Sequence, residues 1–308
     1  MNAAFDVVLP VFALIGLGFL CRRTKVLGPA AVGEINRFVV WLAQPALLFG
    51  ITANAHWSSY RLDFIVAVGG ALVLTFLLVL AASWRRIGGA DAVVDGLSAA
   101  YANNGFLGIP LGLLVFGEWS LPFSGVAVIM TACVLYAMGL IGMELGRAAG
   151  QGWGRATLKA LSAVVRNPMM IAPALGAVVS GFGLTPPQGL TTLLTLLAGA
   201  AIPCALVALG LFLAEHAGEG FGDWSWAPLT FAKLVIQPAI AWLLAAPVMH
   251  APPQVVQMAV LMALMPTGAG PFMLAQVYAQ RGAVASRTIL MTTVMSVVAI
   301  SIFLTLVR

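Results

Sequence analysis

Apolar positions along this chain form long unbroken runs; they follow neither the short period of a surface helix nor the alternation of a half-buried strand. Ten runs can be read, at residues 5–21, 31–51, 62–84, 94–116, 123–145, 158–181, 190–214, 227–248, 255–278 and 285–307. A helix rising 1.5 Å per residue needs about 20 residues to cross the hydrocarbon of a bilayer, which matches these lengths. The pattern predicts an all-α polytopic membrane protein of ten transmembrane helices. The first run has no basic segment before it and no small-residue cleavage pattern after it, so it is read as a retained span and not a signal peptide.

Polar residues interrupt two of these runs. The fourth contains Ala102-Asn103-Asn104-Gly105-Phe106-Leu107-Gly108-Ile109-Pro110, and the ninth contains Met265-Pro266-Thr267-Gly268-Ala269-Gly270-Pro271-Phe272. Proline removes a backbone donor and clashes with the preceding turn, and glycine weakens a helix interior by about 1 kcal/mol. Each helix should therefore break, the fourth near Gly108 with a restart at Pro110, and the ninth likewise within residues 265–272. Unpaired backbone is tolerated at membrane depth only where it faces protein or a wet cavity, so the breaks point to a substrate site. Half-helices starting after Pro110 and Pro271 would aim positive N-terminal ends at a shared point, a suitable seat for a carboxylate, with Asn103, Asn104 and Thr267 adding side-chain hydrogen bonds. The blander alternative is that the prolines only kink packed helices and the amides cap freed carbonyls.

The breaks also belong to a longer pattern. Pro10 and Pro168, and Pro45 and Pro203, are each separated by 158 residues (168 − 10 and 203 − 45), an interval repeated by Leu17-Gly18 and Leu175-Gly176. Pro110 and Pro271 are 161 apart (271 − 110). These residues fall in spans one, two and four of the first half and six, seven and nine of the second. A duplication of five spans must enter the membrane from opposite sides, so residues 1–150 and 151–308 are expected to form two inverted five-helix repeats with broken, crossing helices 4 and 9.

Composition agrees with membrane embedding: 61% of residues are hydrophobic, 8% are charged, and mean hydropathy is +1.03. The net charge of +5 is dispersed over short loops, without the basic stripe that nucleic acid would need. Arg22, Arg23, Lys25, Arg85, Arg86, Arg147, Arg155, Lys159, Arg281 and Arg287 follow odd-numbered spans, against Arg61 and Arg308 on the other side. This bias predicts an inner (cytoplasmic) membrane protein with both termini outside the cytoplasm. Cys21, Cys133 and Cys204 lie in separate spans and read as small buried hydrophobes.

Among intramembrane polar residues, Lys233 is costly and invites a functional reading. It either attracts the anion, or snorkels or pairs with an acid such as Glu215 or Asp223. Gln237 and Gln276 are further candidates; Arg37 and Arg287 suit helix ends, and Asp95 and Glu144 lie near span termini. His56, His216 and His250 are scattered, and no hydrolase, metalloprotease or P-loop motif occurs, so no enzyme, cofactor or metal is expected. Glu215, Glu219, Asp223, Trp224 and Trp226 read as a turn with an interfacial aromatic anchor. No Asp or Glu occurs within residues 190–214 or 227–278, which argues against a sodium site built on carboxylates.

With these residues in hand, the chain resembles the auxin efflux carrier family, which includes plant PIN-type carriers and bacterial malonate and malate permeases. The resemblance rests on Ile35-Asn36-Arg37-Phe38-Val39, Pro45-Ala46-Leu47-Leu48-Phe49, Asn103 with Gly108-Ile109-Pro110, Leu209-Gly210-Leu211-Phe212, and Pro266-x-Gly268-x-x-Pro271-Phe272-x-x-Ala275-x-x-Tyr278. It implies a scaffold of helices one, two, six and seven, often dimeric, and a mobile unit of helices three to five and eight to ten that moves as an elevator. It also implies that Asn103, Pro110, Pro271 and Tyr136 border the substrate. Two features depart from the plant carriers. Only residues 146–157 separate the fifth and sixth spans, and an apolar residue near Val68 replaces an acidic one. The expected activity is transport of a small organic anion, a short carboxylate in preference to an indole acid, with H+ or Na+ as possible coupling ions. Alternatives are a sodium-coupled symporter like the bile acid carriers, and an anion channel or sensor on the same fold.

Overall fold

The computed structural model describes residues 2–55, 61–147, 153–215 and 224–307. His56, His216, Glu219, Asp223, Arg308, residues 148–152 between the fifth and sixth runs, and the side chains of Arg155 and Lys159 lie outside the described residues.

The described chain is helical. In order the helices are α1 (Asn2–Arg23), α2 (Ala31–Phe38), α3 (Gln44–Ala53), α4 (Leu62–Ile87), α5 (Gly89–Ala100), α6 (Ile109–Phe116), α7 (Leu121–Ile129) and α8 (Tyr136–Arg147). They continue as α9 (Trp153–Arg166), α10 (Pro168–Gly181), α11 (Gln188–Glu215), α12 (Trp226–Phe231), α13 (Gln237–Leu243), α14 (Pro253–Leu264), α15 (Gly270–Tyr278) and α16 (Gly282–Val307). Widened π turns join several of them end to end: Val39–Ala43, Asn104–Gly108, Met130–Leu135, Ala232–Ile236 and Leu244–Val248. Among the described residues six helical stretches are long and apolar enough to cross a membrane, and α10 and α14 are shorter apolar helices. Large apolar side chains such as Leu196 and Leu306 stand 71% and 80% exposed, the surface expected of a body solvated by lipid. The chain is a multi-pass membrane protein.

Proline explains the widened turns. Pro45, Pro110 and Pro238 each follow a π turn by two residues, at the start of α3, α6 and α13. A proline ring cannot approach the carbonyl four residues earlier, so the helix loosens by one residue per turn and continues.

The sixth run behaves differently from expectation. It does not form one span over residues 158–181: the chain breaks at Asn167-Pro168, where Asn167 is extended and its side chain accepts from the Met169 N–H at 2.9 Å. A residue before proline avoids helical geometry, and proline suits the first helical turn. The preceding helix α9 is separate and amphipathic, with Leu158, Leu161 and Val165 exposed.

Helices α1, α2, α3, α10 and α11 pack mainly among themselves, and α4 to α8 with α12 to α16 form a second body against them. Within the first body, α1 lies along α11 and α3 along α10, and glycine sets both approaches. A Cβ on Gly18 would strike the Val207 carbonyl, and one on Gly176 would strike Thr52 and the Phe49 carbonyl. Such contacts let backbones meet where lipid offers no hydrophobic drive between helices.

These seats give a direct check. Gly176→Ala is expected to lower the melting temperature of the purified protein, at a cost of about 1 to 3 kcal/mol for overpacking. Gly181→Ala, where a Cβ meets nothing within 4 Å, should leave it unchanged. Equal melting of the two variants would refute the close α3–α10 approach.

Candidate substrate site at two broken helices

Helix α5 stops at Ala100 because Tyr101 turns extended (φ −76°, ψ 93°), and α14 stops at Leu264 because Met265 does the same (φ −57°, ψ 139°). The two extended segments lie antiparallel, Ala102 opposite Thr267. Asn103 N–H donates to the Pro266 carbonyl at 2.8 Å, and Gly268 N–H donates to the Tyr101 carbonyl at 2.9 Å. Each break thus supplies the partner that the other lacks, as backbone inside a bilayer requires.

The first break therefore opens earlier than the sequence suggested. It lies at residues 101–103, and Asn104–Gly108 is already the widened first turn of the next half-helix, so Pro110 is inside that half-helix and does not start it. The second half-helix begins at Gly270, with Pro271 in its first turn.

The first turns of both half-helices face one small cavity of 40 Å³. Asn103, Asn104, Gly105 and Phe106 form one side and Gly268, Ala269 and Gly270 another, closed by Gln44, Tyr101, Thr131 and Met273. First-turn N–H groups have no acceptor within their own helix and carry the positive end of its dipole. Lys, Arg, Asp and Glu are all absent from the lining. Asn104 is held from behind, its amide donating to the Ala127 carbonyl at 3.3 Å and to Thr131 Oγ1 at 3.1 Å. Tyr101 closes over the glycines: a Cβ at Gly270 would collide with its ring, and one at Gly268 would lie 3.3 Å from it.

Of the residues singled out from sequence, Asn103, Asn104, Gly105, Gly268 and Gly270 line the cavity, while Gly108, Pro110, Pro266, Thr267 and Pro271 belong to the breaks without lining it. Thr267 Oγ1 donates to the Ser98 carbonyl at 2.7 Å, and its N–H donates to Thr292 Oγ1 at 3.0 Å. Lys233 and Gln237 lie outside the lining. Lys233 Nζ donates to the Ala263 carbonyl at 2.7 Å and Gln237 Nε2 to the Ala100 carbonyl at 2.8 Å. Lys233 is fully buried and does not snorkel; Glu215, its suggested partner, pairs with Arg22 at 3.0 Å. Tyr136 is buried at the start of α8 and Gln276 sits beside Gly282, both outside the lining. Asp95 pairs with Arg281 at 3.1 Å, and Glu144 accepts from the Tyr278 hydroxyl at 2.8 Å.

Gln44, Tyr101, Thr131 and Met273 were not singled out. Tyr101 directly precedes the Ala102-Asn103 break and Gln44 precedes the matched Pro45, so both had a positional signal; Thr131 and Met273 had none.

The sequence profile of the family described as "Membrane transport protein" matches residues 3–151 and 155–304. The chain belongs to this family, the auxin efflux carriers. A Rhizobium meliloti (strain 1021) protein named "Putative malonate transporter" is 33% identical over 314 aligned positions, covering 98% of this chain and 95% of that protein. The "Uncharacterized transporter YfdV" of Escherichia coli (strain K12) is 26% identical over 84% of this chain and 83% of its own length. "Auxin efflux carrier component 6" of Arabidopsis thaliana is 30% identical over 39% of this chain and 22% of its own. This auxin efflux carrier relative is accordingly a membrane transporter.

In this carrier the Tyr101 ring and the missing side chain of Gly270 should be coupled. Gly270→Ala alone is expected to lower the melting temperature, and Tyr101→Leu should relieve part of that loss. A double-mutant cycle should give a coupling of about 0.5 to 3 kcal/mol. Additive effects would show that the ring is not seated on Gly270.

Proposed function

We propose that this protein is a secondary active or facilitative transporter of a small organic anion, bound where the two broken helices cross. The observation that carries the reading is that the first turns of both half-helices and Asn103 face one cavity without a charged side chain. Helix N-termini attract negative charge without a fixed cation, so the site favours a carboxylate and can still release it. The cavity of 40 Å³ has room for about one water molecule in this conformation, so the crossing must open to admit any carboxylate, and it must open less for a compact one such as malonate or malate than for an indole ring. The name of the Rhizobium meliloti relative points the same way. No carboxylate lines the cavity, which favours a mechanism without a sodium ion bound beside the substrate.

The same reading takes the chain as ten spans in two inverted repeats. Support comes from the glycine seats: moved by the 158-residue interval, Gly18 becomes Gly176 and Phe49 becomes Val207, so the α1–α11 approach maps onto the α10–α3 approach. The body of α1, α2, α3, α10 and α11 then serves as the scaffold, paired with a second copy in a homodimer. The remaining helices carry the anion across in an elevator motion. Asn36 Nδ2, donating to the Met273 carbonyl at 3.3 Å, is a polar link that such a motion must break. The membrane is the inner membrane, with both termini on its non-cytoplasmic side, as the distribution of basic residues suggests.

The test is thermal stabilisation of the purified protein by a panel of carboxylates. Malonate is expected to raise the melting temperature of the wild type, and Asn103→Ala should weaken its binding by about tenfold or more, the worth of one hydrogen bond to a charged group. An equal response of wild type and variant would remove Asn103 from the site, and no response to any carboxylate would overturn the assignment.

A further inference from the structure

Each break leaves carbonyls behind it as well as N–H groups ahead of it. The Ala100 carbonyl would ordinarily pair with the Asn104 N–H, which instead donates to the Ala102 carbonyl at 2.9 Å. The Ala263 carbonyl would pair with the Thr267 N–H, which instead donates to Thr292 Oγ1 at 3.0 Å. Both orphaned carbonyls are capped from one helix: Gln237 Nε2 reaches Ala100 at 2.8 Å, and Lys233 Nζ, one turn earlier, reaches Ala263 at 2.7 Å. The π turn Ala232–Ile236 carries Lys233 and ends where Gln237 begins α13.

An amide suffices for one carbonyl; the charge at the other needs a separate reason. Lys233 is fully buried, and among the described residues no carboxylate pairs with it. It meets the C-terminal end of α14, worth roughly half a negative elementary charge, while Gln237 meets the corresponding end of α5. Further acceptors lie close in sequence on the same helix: Thr230 Oγ1 one turn before Lys233 and Gln237 Oε1 one turn after it, both buried without a hydrogen-bond partner.

We infer that Lys233 is a chain-tethered cation, a positioning residue that neutralises and holds the carbonyl end of α14 behind the crossover in the role a bound metal cation would otherwise fill. It does not touch the anion. It keeps the broken helices in register so that their N-terminal ends stay aimed at the cavity, and it makes the fold of the crossover independent of dissolved cations. The inference rests on the proposed anion site only for its effect on binding, and its effect on stability stands apart.

The experiment compares wild type, Lys233→Met and Lys233→Ala in sodium, potassium and choline chloride, first without and then with malonate. Wild type should melt at the same temperature in all three salts. Both variants should melt lower, and propylammonium, which replaces the truncated side chain, should restore Lys233→Ala while leaving wild type and Lys233→Met unmoved. Malonate binding to Lys233→Met should weaken about tenfold through the disordered crossover. Wild-type melting that depends on sodium, a Lys233→Met variant as stable as wild type, or a Lys233→Ala variant indifferent to propylammonium would each overturn the inference. If neither variant is recovered folded, the wild-type salt series decides: independence supports the tethered cation and sodium dependence overturns it. Absence of a malonate response in the wild type counts against the anion site alone, because the melting comparison without malonate does not depend on it.

Discussion

A helix that stops inside a bilayer exposes donors and acceptors that lipid cannot satisfy, and each such group left unpaired costs several kcal/mol. This carrier stops two helices and meets that constraint by laying the stops against each other. Two backbone hydrogen bonds, Asn103 to Pro266 and Gly268 to Tyr101, join the extended segments into a short antiparallel crossing. The rest of the site depends on that exchange. It fixes where α6 and α15 can restart, and so where their first turns point; it leaves room for Tyr101 to lie over Gly268 and Gly270, where no side chain could intervene.

The crossing also sorts charge without placing ionised side chains in the cavity. Donor ends of the half-helices face the cavity, while acceptor ends of α5 and α14 face the helix that carries Lys233 and Gln237. The positive end of each half-helix is available to a ligand only because its neighbour's negative end is already engaged. Thr267 contributes to the same separation: its N–H and hydroxyl are both spent on the protein, to Thr292 and Ser98. An anion bound in the cavity would therefore compete with no internal carboxylate, and its affinity would come from many weak, oriented dipoles.

Much of this was legible in the sequence. Long apolar runs predict helices through their length alone, and the asparagine, glycine and proline clusters around residues 103 and 268 locate the breaks, because few residue types tolerate such backbone. What could not be read was how neighbouring helices respond. Pro110 looked like a restart, yet the chain absorbs its ring in a widened turn and opens at residues 101–103, where the Asn103 N–H meets the Pro266 carbonyl 163 positions downstream (266 − 103). Lys233 invited a ligand or an acid as partner, and found a carbonyl freed by a break 30 residues away. The sixth run was apolar enough to suggest one span, and only the capping by Asn167 reveals two helices. In each case the deciding partner is distant in sequence, and periodicity carries no information about it.

An anion held between the two half-helices would shield the residues that line their cavity. Gly105 lines that cavity, and a Cβ there meets only Val128, at 3.9 Å, so a cysteine fits. In a background where Cys21, Cys133 and Cys204 are replaced, Gly105→Cys can be labelled with a small charged thiol reagent, and the rate followed with and without malonate. Malonate should slow the labelling in a saturable manner. A labelling rate that saturating malonate leaves unchanged would contradict the anion site.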